Sequence, residues 1–155
     1  MHCFSLLRIR QALVRFLSHA AGGDPEIVRI ARGSDGVELE AGGSAHLVAY
    51  VGHNGLMEFS LPAPPLKEKR EPGSSLVLAC ASKLYFQGHL RSAESHPVLL
   101  TTGLMAPEAY TLDAAIRGWV GKGTADAVVQ AAAEAYDEYQ KCGLRAARNL
   151  FWGEP

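Results

Sequence analysis

Apolar positions along the chain change their period several times, and each change predicts an element. Near the start, Leu6, Ile9, Leu13, Phe16, Leu17 and Ala20 fall on one stripe of a 3.6-residue period, while Arg8, Gln11 and Arg15 face away. That pattern predicts an amphipathic helix within residues 1–23, docked on a core and ended by Ala21-Gly22-Gly23. "EIVRIARG" and "GVELEAGG" then read as one or two short strands around Ser34-Asp35-Gly36. "LVAYV", "SLVLAC" and "PVLLTT" are continuous apolar runs, the kind buried on both faces of a parallel sheet. Between the last two, "SKLYFQGHLRSAESH" is helix-like, with Leu84, Phe86, Leu90 and Ala93 near one face and Ser82 as its N-cap. Strand, helix, strand predicts a parallel crossover.

"SLPAPPLKEKREPGSS", residues 60–75, breaks this rhythm with four prolines and mixed charge, and predicts an exposed loop. Two helices follow. One starts at Pro107, a favoured first-turn residue; the other starts at Thr124 and stops at Gly143. "LRAARNLFW" predicts a short terminal helix with Leu144, Ala147, Leu150 and Phe151 inward. No internal repeat interrupts the layout.

Composition narrows the class. A chain of 155 residues has single-domain length and can bury on the order of 70% of its unfolded surface. A net charge of -1 offers no electrostatic attraction for nucleic acid, so no nucleic-acid partner is expected. No apolar run reaches the length of a membrane span, so no integral membrane segment is expected either. Cys3, Cys80 and Cys142 are few and widely spaced, without a Cys-x-x-Cys cluster. We expect reduced thiols, a cytoplasmic chain and no structural metal. Phosphate-loop, dinucleotide and Gly-x-Ser-x-Gly fingerprints are absent, and no cofactor is implied.

Candidate chemistry sits at two strand ends. In open parallel sheets, functional groups gather beyond the carboxyl ends of the strands. His53 follows "LVAYV" by two residues, inside Gly52-His53-Asn54-Gly55, and Cys80 ends "SLVLAC". If those strands are neighbours, the two side chains share a crevice, and a Cys/His dyad suffices for nucleophilic acyl transfer. Amides at the start of the helix after Cys80 would receive an oxyanion. "TTGLMAPEAY" follows the third strand, which makes Thr102, Gly103, Met105, Glu108 and Tyr110 candidate substrate contacts. His19, His46, His89 and His96 have no partners in sequence and read as solvent-facing or loop residues.

At these residues the chain resembles the caspase-like cysteine peptidases, nearest in layout to bacterial CHAT domains. "LVAYVGHNG" looks like that family's hydrophobic block ending in His, and "SLVLACAS" like its block ending in Ala-Cys. The family usually has Gly directly after its His, where this chain has Asn54, and its His-to-Cys interval is longer. The resemblance covers roughly residues 45–140 and implies a single three-layer α/β/α caspase-like domain with a mostly parallel central sheet. It further implies Cys80 as nucleophile, His53 as general acid/base, and oxyanion amides around Asn54, Gly55 and Ala81. The expected function is a cysteine endopeptidase acting on a peptide or protein substrate. The competing expectation is a catalytically silent α/β interaction module, docking through residues 60–75 and the basic first helix. As a peptidase, the chain would use residues 60–75 as a lid or a self-cleavage site, with Lys67, Lys69 and Arg70 the candidate positions.

Overall fold

A computed structural model describes residues 2–32, 35–61 and 73–155. Most of the predicted proline-rich loop, including Lys67, Lys69 and Arg70, lies outside the described residues, as does Ser34. The chain is mixed α/β. Helix α1 (His2–Ala20) leads into an antiparallel hairpin of β1 (Pro25–Arg32) and β2 (Asp35–Gly42). Then come β3 (Leu47–Val51), a 3-10 turn (Gly55–Met57), β4 (Ser74–Leu78), α2 (Ser82–Ser92) and β5 (His96–Thr101). Helices α3 (Ala109–Lys122), α4 (Ala125–Gln140) and α5 (Leu144–Leu150) precede a two-residue strand, β6 (Phe151–Trp152). The main sheet has the order β3-β4-β5-β6, with β3, β4 and β5 parallel and β6 antiparallel to β5.

β4 reads as a continuous apolar run because both of its faces are covered. Leu76 and Leu78 enter a cluster with Ala115 of α3, Val128, Ala132 and Tyr136 of α4, and Ala147 of α5. Val77 and Ala79 enter a second cluster with Leu13, Phe16 and Leu17 of α1 and Phe86 and Leu90 of α2. This is the strand period of two at work. The apolar stripe of α1 is the side it buries, and Arg8, Gln11 and Arg15 face solvent. No helix among the described residues is long and apolar enough to cross a membrane.

Several expectations need correction. β3 is not buried on both faces: it lies at the sheet edge, with Ala49 and Val51 exposed. Leu84 is also exposed, because two helical steps of 100° carry it to the far side of α2 from Phe86. Helix α3 begins at Ala109 with Glu108 as N-cap, so Pro107 precedes the helix. α4 keeps its predicted Thr124 cap, whose oxygen accepts from the Ala127 N–H at 3.3 Å, but ends at Gln140 with Lys141 left-handed. Leu144, the first residue of α5, faces solvent, and Phe151 belongs to β6 rather than to a helix. His89 and His96 are half-buried, and His96 lies 3.8 Å from the Glu154 carboxylate.

Candidate active site

The register of β3 against β4, from Leu47↔Ser74 to Val51↔Leu78, brings both carboxyl ends to one edge of the sheet. The ladder runs one step further, since the Gly52 N–H donates to the Leu78 carbonyl at 3.1 Å. Gly52 has φ +151, a backbone angle that side-chain-bearing residues rarely adopt, and there the chain leaves the sheet. The loop carrying His53 and the turn carrying Cys80 therefore start side by side.

Asn54 ties them together. It is fully buried; its Nδ2 donates to the Cys80 carbonyl at 2.6 Å, and its Oδ1 accepts from the Leu56 N–H at 3.1 Å. One side chain thus caps the 3-10 turn and clamps the neighbouring strand end. Gly55 fits closely next to it: a Cβ there would meet Ile9 Cγ2 of α1 at 2.7 Å and the Phe59 ring at 2.8 Å, so a larger residue would force those side chains to shift. The His53 carbonyl accepts from the Tyr50 hydroxyl at 2.6 Å and the Gly55 N–H at 3.1 Å. Burial pushes the Tyr50 hydroxyl above its ordinary pKa of 10.0, so it remains a donor at neutral pH. The His53 ring is exposed, and its Nε2 lies 2.6 Å from Glu58 Oε1.

Cys80 is partly exposed, just beyond four fully buried residues, Leu76 to Ala79. Its sulfur sits against the Met105 peptide: the Met105 N–H donates to Sγ at 3.5 Å, and the thiol faces the Met105 carbonyl at 3.5 Å. Ala81 follows in the left-handed region (φ 50, ψ 33), a conformation that costs a non-glycine residue on the order of 1 kcal/mol. Ser82 is not the cap of α2; Ala81 occupies that position without a side-chain hydrogen bond. The buried Ser82 hydroxyl instead donates to the Val77 carbonyl at 3.1 Å and accepts from the Thr101 N–H at 2.8 Å. The hydroxyl of Thr101 reaches the Ala79 carbonyl. This network sews β4, β5 and the start of α2 into one rigid floor beneath Cys80.

Two of the three amides assigned to an oxyanion, those of Gly55 and Ala81, are engaged in this state. Gly55 donates to His53, and the Ala81 N–H donates to the Gly103 carbonyl at 2.7 Å. Of the residues expected to touch substrate, Gly103 and Met105 are brought to Cys80 by these contacts. Thr102 is anchored elsewhere: its hydroxyl donates to the Asn149 carbonyl at 2.8 Å, and it borders an open depression of about 480 Å3 with Lys83, Leu84, Gln87 and Arg91. Glu108 is exposed at the head of α3. Tyr110 stacks on Tyr139 at 4.1 Å between ring centres and accepts from Gln140 Nε2 at 2.6 Å, so it holds α3 to α4.

Sequence reasoning offered Glu58 only as one of four acids, with Glu94, Glu108 and Asp113, for a basic-substrate pocket; it missed the pairing of Glu58 with His53 and the side-chain role of Asn54. The one available signal was Asn54-Gly55 itself, which announces a reversal that returns the following residues toward His53. Among the described residues, no group of three or more His, Cys, Asp or Glu side chains is placed to hold a metal ion. No family model matches the chain, and neither the curated proteins nor the solved structures contain a match.

Proposed function

We propose that the chain is a caspase-like domain, with helices on both faces of its sheet, that acts as a cysteine endopeptidase through Cys80 and His53. The observation that supports this reading is the Asn54 side chain bonded to the Cys80 carbonyl, which ties the loop that carries His53 to the turn that carries Cys80 at the same edge of the parallel sheet. In the reaction the Cys80 sulfur attacks a peptide carbonyl carbon after its proton passes to His53. The tetrahedral oxyanion competes with the Gly103 carbonyl for the Ala81 amide. Collapse expels the amine, which takes the proton from His53 and leaves a thioester on Cys80. Water, deprotonated by His53, hydrolyses that thioester and restores the thiol.

The test is chemical and needs no known substrate. Iodoacetamide at neutral pH should label Cys80 faster than the more exposed Cys142, and His53→Ala should remove that advantage. Wild type should also cleave a mixed peptide library, or itself within residues 63–74, while Cys80→Ala does neither. If Cys80 labels no faster than Cys142 and both proteins leave the library intact, the interaction module becomes the better account.

A further inference from the structure

Six hydrogen bonds within residues 50–59 bring one more charged group to this site. The Tyr50 hydroxyl and the Gly55 amide hold the His53 carbonyl, and Asn54 Oδ1 holds the Leu56 amide. The Met57 N–H donates to the Asn54 carbonyl at 3.2 Å. Both the Glu58 and Phe59 amides donate to the Gly55 carbonyl, at 2.9 and 3.0 Å. The turn packs on α1 through Ile9 and Phe59, which crowd Gly55. Glu58 is thereby delivered, five residues on, to within 2.6 Å of His53 Nε2.

We propose that Glu58 is a positioning residue for His53, and this rests on the dyad reading above. A neutral imidazole carries one N–H and one lone pair, and a carboxylate only accepts. Bonding to Glu58 therefore fixes the hydrogen on Nε2 and leaves the lone pair of Nδ1 to take the thiol proton. When that proton arrives, the imidazolium keeps its bond to Glu58. With the side chains of His53 and Glu58 52% and 43% exposed, solvent screens their attraction, and the pair contributes little to folding. Its effect is on ring orientation and tautomer, the same service a carboxylate gives the base in other nucleophile-base-acid arrangements.

The experiment compares wild type, Glu58→Ala, Glu58→Gln and His53→Ala as full chains. The tautomer of His53 is read from its ring 15N shifts above neutral pH, and Cys80 alkylation by iodoacetamide is timed with Cys142 as internal control. We expect wild type to hold the Nε2–H form. Glu58→Ala should lose that bias and slow Cys80 labelling roughly tenfold or more at unchanged melting temperature. Glu58→Gln, which retains an acceptor oxygen, should recover the tautomer and part of the rate. Wild-type labelling in Glu58→Ala, with slow labelling in His53→Ala, overturns the role of Glu58 and leaves the dyad standing. Equal labelling in all four proteins overturns the dyad and the role of Glu58 together.

Discussion

His89 illustrates how one side chain sets a pH limit. It lies on α2 with its Nδ1 buried and without a hydrogen-bond partner, and desolvation holds its pKa below the ordinary 6.5. The folded state thus binds a proton less readily than the unfolded chain. Stability is complete above the ordinary histidine value and is lost as pH falls from there through the lower folded value. Urea melts taken from slightly alkaline to mildly acidic pH should show wild type weakening more steeply than His89→Gln; parallel curves would rule this out. Side chains of this kind were opaque in the sequence. His89 reads as solvent-facing because it has no partner in sequence, and Asn54 reads as a turn residue because Asn-Gly pairs usually are. What decided both was distance in space: Asn54 bonds to a carbonyl 26 residues away.

Among the elements, α1 was the most legible, because a stripe of large apolar side chains on a 3.6-residue period has few other uses. The structure gives that stripe a sharp edge. Leu13 is 0% exposed and Leu17 2%, while Val14, one step round, is 49% exposed. Leu13→Ala should therefore cost about 2–5 kcal/mol, and Val14→Ala less than about 0.5 kcal/mol, read as shifts of the urea midpoint; equal losses would mean that α1 is not seated as described. The strands were half legible. Apolar runs announced β3, β4 and β5, but a run of five apolar residues looks alike in a central strand and at an edge. Only the order β3-β4-β5-β6 shows that β3 has its outer side unpaired among the described residues. Helix starts were read well where a side chain caps, as at Thr124, and badly where the backbone alone turns, as at Ala81 and Glu108.

For the molecule as a whole, the mixed α/β class followed from alternation of apolar runs and amphipathic stretches, and the parallel pairing of β3, β4 and β5 agrees with it. The β1–β2 hairpin did not follow from any core argument, since Ile27, Val28, Ile30 and Leu39 stay exposed and belong to neither apolar cluster. The loop after β3 and the turn after β4 meet at Asn54, and that has a consequence for how the protein ages. In a free Asn-Gly pair the glycine nitrogen attacks the asparagine side chain, ammonia leaves, and the succinimide opens to aspartate or isoaspartate. Here the Gly55 nitrogen is held by the His53 carbonyl, and the amide that would depart as ammonia is held by Cys80. Releasing Asn54 means parting the loop after β3 from the turn between β4 and α2, a local opening that also exposes a fully buried side chain. Deamidation at Asn54, followed by peptide mass mapping over weeks, should be very slow in native buffer and rise in step with the unfolded fraction as urea is added. A native rate matching that of the unfolded chain would show that the clamp is loose. Otherwise this dipeptide is a chemical clock that runs only when the protein comes apart.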